Sequence, residues 1–194
     1  MYKWALDEFS QKVYNLGYAE IDPHYKTIRP QVNADNINNI FGDKKSSIKH
    51  LDYGGGNGLF SDLLSKWGWD SDSYDPFVNH DINIKDLGLF DLITAFEVFE
   101  HVPDVNELMF QLNTLIKNDS IIYFTTLVSD GNIEKNKRLN WWYASPRNGH
   151  ISIFSKVSLA ILAKKYQFNL VSFSLVSHML FKQVPNWAPF VVKK

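Results

Sequence analysis

From residue 48 onward the apolar positions alternate between two rhythms. Residues 48–53 form a short apolar run that stops at a cluster of glycines, as a buried strand does. Leu59, Phe60, Leu63, Leu64 and Trp67 then recur at three- and four-residue spacing, which predicts a helix with one buried face. Residues 69–75 alternate as a second strand, and 90–96 read as a strand buried on both faces. Pro103 opens a helical stripe of Val105, Leu108, Met109, Leu112, Leu115 and Ile116. A strand at 120–127 and a helix at 155–166 follow, the latter with Leu159, Leu162, Ala163 and Tyr166 on one side. Val171, Phe173 and Leu175 alternate with serines as a further strand, and a last one falls near 178–182. Strands that alternate with helices predict an α/β domain around a mostly parallel sheet, with ligands at the carboxyl ends of its strands. Residues 76–89 leave room for little more than a turn and a small strand. Residues 1–47 are polar and mixed, with helices expected near 3–16 and 31–41. They read as an N-terminal helical extension on a main domain spanning 48–194.

Composition narrows the partners. Apolar residues make up 45% of the chain, charged residues 21%, and the net charge is −1, ordinary values for a globular protein. No basic run exceeds a pair such as Lys44-Lys45, so an extended phosphate backbone such as RNA is a poor match. The chain has no cysteine, which excludes disulfides and thiolate metal sites. It contains no long apolar run, and its start lacks the apolar stretch of a signal peptide, so a cytoplasmic protein without a membrane partner is expected.

The first candidate chemistry is the glycine turn in HLDYGGGNGLFSDLL. Gly54, Gly55, Gly56 and Gly58 lie directly between a strand and a helix. Glycine there permits positive φ and close approach of backbone to ligand. The spacing is G-x-G-x-G rather than the dinucleotide G-x-G-x-x-G. Asp52, two residues before the first glycine, places negative charge where a pyrophosphate wants none, so a cationic ligand suits the turn better. Asp75 ends the second strand, where an acidic side chain can accept hydrogen bonds from ribose hydroxyls.

These features resemble the class I S-adenosylmethionine-dependent methyltransferases. LDYGGGNG is similar to their first motif, SYDP to their second, and FDLITAFEVFEHVPD to the stretch after their fourth strand. The resemblance covers about residues 48–182. It implies a Rossmann-like fold with a seven-stranded, mostly parallel sheet and helices on both faces. It also implies S-adenosylmethionine as cofactor, with Asp52 and the Gly54-Gly55-Gly56 backbone near the methionine part. Asp75 would hold the ribose and Phe96 would line the pocket. The short 76–89 segment departs from the family pattern, and Asp81 with Ile82 is a weak candidate for holding adenine.

Within AFEVFEHVPD, Glu97, Glu100 and His101 stand among apolar neighbours. EVFEH resembles the corresponding segment of the ubiquinone-biosynthesis O-methyltransferases and of the small-RNA 2′-O-methyltransferases. In the latter, two glutamates, a histidine and a later histidine hold a divalent metal. By that resemblance Glu97, Glu100, His101 and His150 are metal candidates. A helical turn after Phe96 would place 97, 100 and 101 on one face, with Val98 and Phe99 in the core. Two carboxylates and two imidazoles suit Mg²⁺, Mn²⁺ or Fe²⁺. Three plainer readings stand beside this one. Glu97 can face the sulfonium or amino group, Glu100 and His101 can pair at the start of the next helix, and His150 can be an ordinary loop histidine.

The function expected is O-methylation of a hydroxyl on a small molecule or sugar, with His101 or His150 as general base if no metal binds. Alternatives are metal-independent N- or C-methylation, a non-catalytic cofactor-binding subunit, and a dinucleotide oxidoreductase. The 130–150 stretch is long for a connection. Its Trp141, Trp142 and Tyr143 can either stack on substrate or anchor the loop, and Arg147 can meet an anion. Tyr25 and Arg29 are candidates for closing over the cofactor.

Overall fold

A computed structural model describes residues 27–79, 81–145 and 148–189. The expected helix at 3–16, together with Tyr25 and Arg147, lies outside the described residues. The first element among the described residues is α1 (Ile28–Phe41), followed by a 3₁₀ turn and β1 (Lys49–Tyr53). Next come α2 (Leu59–Lys66), β2 (Asp70–Tyr74), β3 (Phe90–Phe96) and α3 (Val105–Thr114). The chain continues through β4 (Ile116–Thr125), α4 (Lys156–Lys165), β5 (Asn169–Ser172) and β6 (Ser177–Phe181).

The strands form one sheet in the order β2-β1-β3-β4-β6-β5. β2, β1, β3 and β4 are parallel, while β6 runs antiparallel to both β4 and β5. This is the Rossmann-like architecture expected, with six strands among the described residues where seven were anticipated. Residues 84–87 of the short connection form a 3₁₀ turn instead of a strand. The sheet order reverses between β1 and β3, the point at which open α/β sheets form a ligand crevice.

Two buried clusters cover the faces of the sheet. On one side Val98, Phe99, Leu108, Met109, Leu112, Phe124 and Leu159 pack together, with Phe99 stacked on Phe124 at 4.2 Å between ring centroids. On the other, Ala34, Ile37 and Phe41 of α1 pack with Phe60, Leu64, Trp69, Leu92 and Ile121. The β3 strand is buried along most of its length because it lies between two strands and two layers. β2 sits at an edge, and its exposed Asp70 and Asp72 discourage pairing with another chain. Two boundaries differ from the periodicity. Ile116, read as the end of the helical stripe, begins β4 and pairs with Phe90, after which the register shifts so that Leu92 faces Ile121. Residues 173–176 turn rather than extend, closing the β5–β6 hairpin. Among the described residues no helix is long and apolar enough to cross a membrane.

Candidate active site at the carboxyl ends of β1, β2 and β3

The glycine turn folds back on its own strands. The N–H groups of Gly54 and Gly55 donate to the Tyr74 carbonyl at 2.7 and 3.4 Å, and that of Gly56 donates to Asp75 Oδ2 at 3.0 Å. Asp75 Oδ1 accepts from the Phe77 N–H at 2.8 Å. Each carboxylate oxygen keeps a second lone pair for a ligand hydroxyl. Amides committed in this way do not form a nest for phosphate.

Gly54 has φ of +78°, and a Cβ there would come within 2.5 Å of Val98 Cγ2. Gly56 has φ of +55° with open space around its missing side chain. Alanine at Gly54 should therefore cost both left-handed strain and overpacking, about 2–4 kcal/mol together. A melting temperature lowered by about 5–10 °C is expected. Gly56→Ala, which carries the strain alone, should lose less. Calorimetry showing equal losses for the two would remove the Val98 contact from the account.

Asp52 is 4% exposed, and Thr94 Oγ1 donates to its Oδ1 at 3.2 Å. Burial pushes its carboxyl up to about 7, with the hydrogen bond from Thr94 opposing and the charge of Asp75 adding. Behind Thr94 stands His50, a residue that sequence reasoning passed over. Its Nε2 lies 3.0 Å from Thr94 Oγ1 and its Nδ1 2.7 Å from Ser71 Oγ, which in turn is 2.8 Å from Ser61 Oγ. Burial lowers the pKa of His50 to about 3, so the ring is neutral. The network assigns the proton to Nε2, and every donor then points toward Asp52: Ser61 to Ser71, Ser71 to His50, His50 to Thr94, Thr94 to the carboxylate. A histidine within an apolar strand is a signal the sequence does carry, since buried imidazoles need partners.

The EVFEH segment turns without becoming a helix, and it divides the four metal candidates. Glu100, His101 and His150 each offer a ligand atom within 4.8 Å of the others. Glu97 lies outside this group, which corrects the expectation that 97, 100 and 101 share a face. Its φ is +54°, a left-handed backbone uncommon for glutamate, and it turns the side chain toward α1. There the half-exposed carboxylate pairs with Arg29. Its N–H donates to Thr125 Oγ1 at 3.0 Å. Val98 and Phe99 do point into the core.

The 149–152 loop reaches Glu100 because the Glu100 carbonyl accepts from the N–H groups of Ile151 and Ser152 at 2.7 and 3.0 Å. That places the His150 ring 4.7 Å from the His101 ring, centroid to centroid. His101 Nδ1 lies 3.1 Å from the Gly149 carbonyl, and His150 Nδ1 lies 2.6 Å from the Tyr143 carbonyl. A carbonyl only accepts, so both Nδ1 atoms carry hydrogen and both Nε2 atoms carry the lone pair of a neutral ring. Burial and the neighbouring His150 lower His101 to about 4, and burial lowers His150 as well. The Tyr143 hydroxyl donates to Glu100 Oε1 at 2.5 Å. Glu100 Oε2 is buried with no hydrogen-bond partner. Tyr143 is thus a buried anchor of the loop, whereas Trp142 is 63% exposed. Phe96 packs on Phe60 and Tyr123 beneath α1. Asp81 and Ile82 are exposed, Asp81 in a turn and Ile82 in a bend, before the 3₁₀ segment.

A family profile described as "Methyltransferase domain" matches residues 25–173. The chain belongs to the methyltransferase-domain family. A ubiquinone biosynthesis O-methyltransferase of Colwellia psychrerythraea is 27% identical over 100 residues, a match spanning 40% of this chain and 41% of the relative. Among solved structures, the 1,6-didemethyltoxoflavin-N1-methyltransferase of Burkholderia thailandensis aligns with TM-score 0.61 at 13% identity, covering 93% of this chain and 89% of that one. Mitomycin 7-O-methyltransferase aligns with TM-score 0.61 at 13% identity, over 89% of this chain and 59% of that one. DesVI of Streptomyces venezuelae aligns with TM-score 0.56 at 11% identity, over 90% and 97%. These structural likenesses establish the shared fold.

Proposed function

We propose that this methyltransferase uses S-adenosylmethionine to methylate a hydroxyl of a small molecule or sugar, assisted by a divalent ion held by Glu100, His101 and His150. The observation that carries the reading is Glu100 Oε2, buried and without a hydrogen-bond partner, on a carboxylate with an oxygen within 4.8 Å of a ligand nitrogen on each of two neutral imidazoles. An orphaned buried acceptor is costly, and a cation beside it removes the cost. Both histidines have Nδ1–H directed to backbone carbonyls, the arrangement that orients imidazole ligands. The residues therefore fit a metal. One carboxylate with two imidazoles favours Mn²⁺ over Mg²⁺, which takes mainly oxygen ligands. When bound, the ion would lower the pKa of a coordinated hydroxyl and ready it as nucleophile.

The cofactor assignment is supported by two carboxylates, Asp52 and Asp75, at neighbouring strand ends beside a turn whose amides are already committed. Asp75 would accept from the ribose hydroxyls. Asp52 would face the cationic methionine end. In-line methyl transfer depends chiefly on holding nucleophile and methyl group in register, and both sites hang on adjacent strands of one rigid sheet. The relatives' names include both oxygen and nitrogen acceptors, so the oxygen acceptor rests on the metal-fitting cluster.

A metal-free reading is favoured by the same lowered histidine pKa values. A neutral His150 Nε2 can take the acceptor's proton directly. Chelation separates the two. Protein stripped with EDTA should lose methyl transfer to a catechol and sugar-hydroxyl panel and regain it with Mn²⁺. Full activity in stripped protein, with no metal by elemental analysis, would sink the metal reading and leave His150 as base.

A further inference from the structure

An open cleft of about 330 Å³ lies between α1 and the carboxyl ends of β3 and β4, with the start of β6 beside them. Its lining is Asn33, Asn36 and Asn39 of α1 with Phe96, Tyr123 and Thr125 of the sheet, joined by Ile40 and Ser177. No charged side chain lines it among the described residues. Four of the 14 residues of α1 are asparagine, a residue that competes with its own backbone and is a poor helix former. Asn38 has a structural task, accepting from Trp69 Nε1 at 3.0 Å. Among the described residues, Asn33, Asn36 and Asn39 make no side-chain hydrogen bond. Three amides facing one cleft, at the expense of helix propensity, are a local rule broken where a site is expected.

The cleft and the proposed transfer site share the carboxyl edge of the sheet. Thr125 lines the cleft and accepts from the Glu97 N–H, and Glu97 pairs with Arg29 of the first turn of α1. The next residue, Thr126, lies 3.4 Å from the Tyr143 hydroxyl that bonds Glu100. Thr125 and Thr126 are consecutive, so the cleft and the metal-fitting cluster stand on opposite faces of the sheet at one strand end, and a ligand would reach from one to the other over that edge.

We propose that this cleft seats the body of the methyl acceptor, and that the acceptor is an uncharged polyhydroxylated ring, a neutral sugar or cyclitol. Each asparagine amide offers two donors and an acceptor, matching vicinal hydroxyls that both give and take hydrogen bonds. Phe96 and Tyr123 supply an apolar wall for the C–H face of such a ring. The absence of lining charge disfavours phosphorylated or amino sugars. The assignment of the bound molecule as acceptor rests on the proposed methyl transfer; the binding itself does not.

Ligand-observed NMR with the full chain and S-adenosylhomocysteine tests this with neutral methyl glycosides and inositols, and with sugar phosphates and amino sugars as controls. A neutral member should bind, and Asn36→Ala with Asn39→Ala should weaken it at least tenfold. Cofactor affinity should stay unchanged and the melting temperature should hold or rise, since alanine is the better helix former. Binding of only charged members, of none, or with indifference to the substitutions would overturn the proposal. Retained sugar binding without any methyl transfer would instead overturn the activity reading and leave the site standing.

Discussion

Replacing His150 with alanine should lower methyl transfer by about a thousandfold while leaving S-adenosylmethionine affinity within about twofold, in the range set by loss of an acid–base or metal-orienting group. His150 lies beside His101 and Glu100, while Asp52 and Asp75 stand at the ends of β1 and β2. The substitution should not release the loop, because Ile151 and Ser152 hold the Glu100 carbonyl through backbone N–H groups. Mn²⁺ affinity, followed by electron paramagnetic resonance, should fall by well over tenfold along with turnover. That second measurement reads the site without relying on activity. Cofactor affinity falling in step with the rate would show that His150 belongs to the cofactor pocket instead.

Asp52→Asn should weaken cofactor binding by about 30- to 1,000-fold, the 2–4 kcal/mol expected when one partner of a buried charge pair is removed. The wild-type protein should show the same dependence through pH. Burial pushes its carboxyl up to about 7, so it is mostly protonated at pH 6. A cationic ligand binds the carboxylate form and must then expel a proton. The dissociation constant should therefore rise by nearly tenfold for each unit of pH below about 7, and flatten above it. Thr94→Val removes the hydrogen bond that favours the carboxylate, so the midpoint should move to higher pH. Calorimetric titrations from pH 5.5 to 8.5 check both. A wild-type constant that does not change across this range would remove Asp52 from contact with positive charge.

Much of this architecture is legible along the chain. Residues 90–96 form the strand their unbroken apolar run suggests, because a strand covered on both faces needs no polar alternation. The glycine turn is legible because left-handed φ and close packing against Val98 exclude a side chain. His150 is legible only through resemblance, since fifty residues separate it from Glu100. The helical reading of Glu97 fails because periodicity assumes a right-handed backbone, whereas its φ is positive and its carboxylate pairs with Arg29.

Local pattern alone thus determined which segments become strands and helices and where the acidic ends and glycines fall. Those properties depend on neighbours a few residues away. Only the packed sheet decided which side chains meet. The parallel register that sets Asp52 opposite Thr94 brings His50 behind them, and two backbone hydrogen bonds bring the 149–152 loop to Glu100. Such contacts join residues that are remote in the chain, and they exist only once the strands are ordered beside one another.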